Sequence, residues 1–173
     1  MLNTRAVARQ RATLDLIEKS ESSEYYRDLH ATYSRLRREG GLPKLANPQT
    51  DIDKADRQAV MNYLNHYELI AIGIRENILD EKFYRSWMRG PFVRDWNAAR
   101  DLIQRQRWKK LEDGKWEYYS QTFENYQYLA CRWSTDVEYL SEESGGPPSA
   151  DEAGGPGDEP LPPEKETPSE ATA

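Results

Sequence analysis

Cysteine is almost absent from this sequence: Cys131 stands alone, which excludes an intramolecular disulfide and fits a reducing, cytoplasmic setting. Histidine is nearly as scarce, with His30 and His66 only. There is no glycine-rich phosphate loop, no G-x-S-x-G, no H-E-x-x-H and no paired-cysteine motif. These gaps leave no catalytic residue, no cofactor site and no metal site to assign. Long apolar runs are missing too. The longest, Leu69 to Ile74, falls far short of the roughly 20 residues needed to cross a bilayer. The start, MLNTRAVARQRATLDLIEKS, carries basic residues without the apolar centre of a signal peptide.

What is present is unevenly distributed. Residues 141–173 hold seven of the ten prolines, five of the ten glycines, one leucine and no aromatic residue. Nine acids against Lys165 give this stretch a charge of −8 within a whole-chain −6, so residues 1–140 carry about +2. A tract this poor in apolar side chains cannot offset the entropy of ordering, and it reads as a disordered acidic tail. All eleven tyrosines, five tryptophans and three phenylalanines lie within residues 1–140, enough for one compact core.

The periodicity there is helical, and the fold expected is an all-α compact bundle of five or six helices. Val7, Leu14 and Ile17 mark a first helix over about Thr4–Lys19; Tyr26, Leu29, Tyr33 and Leu36 mark a second, closed by Gly40-Gly41. GGLPKLANPQT reads as a loop. A third helix starts near Asp53 and repeats Val60, Leu64, Tyr67, Ala71, Ile74 and Ile78, widened by Met61, Ile70 and Ile72, which suits the bundle centre. Asp80 caps a short fourth helix with Phe83, Trp87 and Met88 inward, and Gly90-Pro91 separates it from a fifth carrying Phe92, Trp96, Ala99 and Ile103. A sixth runs from Trp116 to Leu140 through Tyr119, Phe123, Tyr126, Ala130, Trp133 and Val137, alternating three and four.

Few residues in this pattern suggest chemistry. Glu68 sits in the most apolar helix and, if buried, needs a partner; Arg94 is the candidate, in a structural buried pair, with Arg75 as the alternative. His66 lies two positions from Glu68, which turns the two side chains apart on a helix. RQRWKK, Arg105 to Lys110, interleaves an aromatic with four cations, but near-neutral residues 1–140 argue against nucleic acid as the partner. Tyr118, Tyr128, Leu129 and Tyr139 exceed what one seam of the sixth helix hides. The tyrosines are therefore the candidate partner-binding residues.

RATLDLIEKSESSEYYRDL, VMNYLNHYELIAIGIRENILDEKFYRSWM, FVRDWNAARDLI and YYSQTFENYQYLACRW together resemble, in order and spacing, an uncharacterised family of bacterial and phage helical proteins, catalogued only as a domain of unknown function. The resemblance covers Arg9–Trp133 and implies a compact all-α domain, with no activity or cofactor to carry over. Many members have one or two transmembrane helices ahead of the position of Arg9. Only eight residues precede it here, so a soluble form or a start placed too far downstream would explain the difference.

The function expected is a non-catalytic helical interaction or regulatory module, binding a protein partner or its own copy. One alternative is a membrane-surface protein at the inner face, held by the basic first helix through Arg5, Arg9 and Arg11. The other is an enzyme with a scattered site at Glu68, His66 and Arg94.

Overall fold

Local capping sets where the helices begin. The computed structural model describes residues 4–148, in which helices α1 (Thr4–Ser22) and α2 (Glu24–Glu39) meet at Ser23. The Ser23 hydroxyl accepts from the Tyr26 amide, and Gly40, at φ +66°, lets the Gly41 amide reach back to the Leu36 carbonyl at 2.8 Å. α3 (Asp51–Arg75) starts two residues earlier than expected. Thr50 and Asp53 exchange hydrogen bonds in a capping box. The stretch between α2 and α3 is more than a loop: Leu42–Ala46 makes a 3-10 turn that buries Leu42 and Leu45 beneath α4.

The fourth and fifth helices of the sequence reading are one. α4 (Glu81–Arg107), capped by Asp80, continues through Gly90 and Pro91. Proline removes one helical hydrogen bond, but the residues on either side of it share a core. Tyr84 and Phe92 rings lie 6.4 Å apart, and both stack near Trp133. Burying both halves of α4 against the same neighbours keeps it continuous. Of the three residues expected inward, Met88 packs against the core, whereas this register puts Tyr84 inward and leaves Phe83 and Trp87 exposed. Ile78 likewise falls beyond the end of α3 and is exposed, as is Ile72. α3 shares the centre of the core with α4.

The sixth helix is only partly helical. Trp108–Lys110 (β1) and Trp116–Tyr118 (β2) form an antiparallel hairpin in register Trp108↔Tyr118, turned by Gly114 at φ +83°. α5 is then short, Glu124–Trp133. The alternating seam still buries Phe123, Tyr126, Ala130, Trp133 and Leu140, although β2 and the segment after α5 leave the helix. W-E-Y also fits strand periodicity, and the Trp108 and Tyr118 rings meet at 5.1 Å, which favours the hairpin.

Arg107 locks this end of the fold. Its buried guanidinium donates to the Thr122 carbonyl, the Tyr118 hydroxyl and the Leu140 carbonyl. Of the RQRWKK cations, Arg107 is therefore interior, while Lys109 and Lys110 are exposed on the hairpin. The segment after Leu140 is also anchored: Gln104 donates to the Ser141 carbonyl and the Trp108 indole to the Gly145 carbonyl, both at 2.9 Å. Ser141 and Gly145, read from the sequence as the start of the acidic tail, thus bond to the helical part. The remainder of the acidic tract, 149–173, lies outside the described residues.

Candidate functional site

Glu68 and Arg94 do not meet. Glu68 is half-buried and turns toward α5, accepting from the Asn125 amide at 3.2 Å, the Asn125 side chain at 2.7 Å and the Tyr126 amide at 2.7 Å. α5 opens at Phe123 with φ +57° and no side-chain cap of its own, so this carboxylate supplies the cap from α3. Arg94 instead donates to Asp95 at 2.9 Å. His66 points a third way, toward α1 and α2, with the Ser20 hydroxyl at 3.3 Å and the Tyr26 ring at 4.5 Å between centroids. Burial lowers its imidazole pKa to about 4, which keeps it neutral at ordinary pH. The scattered enzyme site is thus not assembled by these three residues.

Among the described residues the buried carboxylate is Asp95, 1% exposed, which the sequence reading missed. Its Oδ2 accepts from the Tyr63 and Tyr67 hydroxyls at 3.0 and 3.2 Å, Tyr33 donates to its backbone carbonyl, and Arg37 stands 3.6 Å from Oδ1. Desolvation raises the phenol pKa of all three tyrosines. The cluster ties α2, α3 and α4 together. Both carboxylate oxygens are engaged inside the core. Among the described residues no group of three or more His, Cys, Asp or Glu is arranged to hold a metal ion. The Cys131 thiol is half-buried, with its pKa raised by burial.

The three candidate tyrosines separate. Tyr118 is held between Gln104 and Arg107 and presents no free hydroxyl. Tyr139 is exposed in the segment after α5, and Leu129, read as surplus surface, is buried. Tyr128 is 45% exposed on α5, with the Arg75 guanidinium 4.7 Å above its ring.

Tyr128 belongs to a wider surface. Gln58, Asn62, Asn65, Leu69 and Ile72 follow at spacings of 4, 3, 4 and 3 along the outward side of α3 and carry no charge. Leu69 is 64% exposed and Ile72 is exposed beside it. The charged residues of this part of α3 point elsewhere: Asp56 pairs with Arg35, Arg57 bonds Gln106, and Glu68 and Arg75 bond Asn125. Tyr25 of α2, 62% exposed, borders the strip by accepting from Asn62 at 2.9 Å, and Tyr128 lies beneath Arg75, three residues beyond Ile72 on α3. From Gln58 to Ile72 the strip runs about 21 Å at 1.5 Å per residue. Its spacing could have been found in the sequence; its exposure could not, because Ile72 counts equally well toward a broad apolar core face.

Among the described residues no helix is long and apolar enough to cross a membrane. Of the α1 arginines, Arg11 pairs with Asp15 and Arg9 lines a cleft at the start of α4. Residues 1–133 match the model of a family described as a domain of unknown function, DUF4760. No curated protein and no solved structure matches the chain. The chain belongs to the DUF4760 family.

Proposed function

From membership of a family with no assigned activity, we propose that this protein is a non-catalytic helical interaction module that self-associates through the outward side of α3. One observation carries the proposal: the uncharged strip Gln58–Ile72 in a chain with 31% charged residues, with exposed Leu69 at its apolar end and exposed Tyr25 at its edge. Depletion of charge and enrichment in tyrosine are what the buried centre of an interface needs. A second copy is the occupant that fits. An uncharged face meets its own copy without like-charge repulsion, and paired amides at Gln58, Asn62 and Asn65 can donate and accept across a two-fold axis. The single thiol of Cys131 supports a cytoplasmic setting.

Sedimentation velocity tests the reading. The full chain should show a concentration-dependent dimer. Leu69→Lys with Ile72→Lys should give a monomer with an unchanged circular dichroism spectrum, since both side chains are exposed and lysine suits a helix. A chain that is monomeric at every concentration, or a double variant that still dimerises, would sink the proposal.

A further inference from the structure

A cleft of about 720 Å³ opens where α1, the start of α4 and the end of α5 meet, far along α4 from the hairpin. Lys82, Arg85, Ser86 and Arg89 face it from one side of α4 at i, i+3, i+4 and i+7; Arg9 and Arg132 face it from α1 and α5. Thr13 holds Arg9 at the rim: its hydroxyl accepts from the Asp80 amide and donates to the Arg9 carbonyl, both at 2.8 Å.

Five cations therefore share one cleft with two carboxylates, and both carboxylates are already engaged. Asp80 caps α4 through the Phe83 amide. Glu81 accepts from the Trp133 indole with one oxygen and pairs with Arg132 through the other at 3.2 Å. Arg89 gives its Nε to the Trp133 carbonyl and keeps its terminal nitrogens. Among the described residues Arg9, Lys82 and Arg85 make no ion pair. Several cations elsewhere are matched, as in Arg35 with Asp56, Arg94 with Asp95 and Arg100 with Glu138. An excess of like charge is concentrated here, although residues 1–140 are nearly neutral.

We propose that this cleft binds the phosphate groups of a multiply phosphorylated ligand. Four of the five cations are arginines, whose planar guanidinium matches two phosphate oxygens at once. The Ser86 hydroxyl adds a neutral donor, and the volume suits a ligand of nucleotide size. The phosphates come either from a soluble nucleoside polyphosphate or from a phosphorylated lipid headgroup, and both sources meet the same cations.

Titration calorimetry of the full chain with inorganic tripolyphosphate at low salt should show saturable one-to-one binding that weakens as salt is added. Lys82→Ala with Arg85→Ala should weaken it at least about ten-fold, the effect of losing charge-assisted contacts, without moving the melting temperature. Lys109→Ala with Lys110→Ala, on the exposed hairpin, should leave binding unchanged. Titration with ATP and flotation with vesicles containing phosphatidylinositol bisphosphate identify the source. Tighter binding of ATP assigns a soluble nucleotide; vesicle binding displaced by tripolyphosphate assigns a headgroup. No saturable binding to tripolyphosphate, ATP or vesicles would overturn the proposal, and so would equal weakening by the two double variants.

Discussion

Replacing Glu68 with glutamine tests whether α5 depends on a cap from another helix. α5 has ten residues, below the roughly 12–15 at which isolated helices become even marginal, and it opens on a left-handed Phe123 that caps nothing. The Glu68 carboxylate takes three donors there with its two oxygens. Glutamine keeps one acceptor oxygen and turns an amide N–H₂ toward the donors the other oxygen had served. The loss is about one charge-assisted hydrogen bond plus the attraction of the charge to the helix terminus, about 2 kcal/mol in all after allowing for water at this half-exposed position. That is less than the roughly 3 kcal/mol expected for a broken buried ion pair. Glu68→Asp should fail similarly, because it is one methylene too short to reach Tyr126. Urea unfolding gives the cost, and native-state hydrogen exchange should show the Asn125 and Tyr126 amides opening sooner than the α3 amides. A double-mutant cycle with Asn125→Ala should return a coupling of about 1 kcal/mol. If Glu68→Gln lies within about 0.5 kcal/mol of the parent chain, the cap is not a source of stability and the reasoning is wrong.

Two further outcomes follow from the same packing. His66 has its folded pKa lowered from 6.5 to about 4 by burial, so the unfolded chain takes up the proton first. Its contribution is complete above pH 6.5 and declines as pH falls toward 4, by up to about 3 kcal/mol; urea midpoints across that range should flatten in His66→Gln, and an unchanged slope would show His66 to be solvated. A chain ending at Leu140 should melt lower than one ending at Pro148, because only the longer keeps the bonds of Gln104 and Trp108 to Ser141 and Gly145. Equal calorimetric melting temperatures would show those contacts to be idle.

The sequence alone determined the elements whose causes lie within one turn of chain. Ser23, Gly40 and Asp80 mark helix ends through hydrogen bonds to residues three or four positions away, so their residue types suffice to place them. The core stripe of α3 was legible for the same reason, since Val60, Leu64, Tyr67, Ala71 and Ile74 need only a helical period to share a face. Tertiary structure decided what depends on distant partners. Pro91 ends a helix by local rules, yet α4 runs through it because both of its halves pack on Trp133, more than 40 residues further along the chain. Glu68 gives no sequence sign of Asn125, 57 positions away, and Arg107 looked like surface charge until the hairpin and the segment at Leu140 closed over it. The candidate sites divide in the same way. The spacing of the α3 strip is written in the sequence, but only the positions taken by α2 and α5 leave Leu69 and Ile72 uncovered. The basic cleft exists only where α1, α4 and α5 converge, because residues as far apart as Arg9 and Arg132 become neighbours through packing alone.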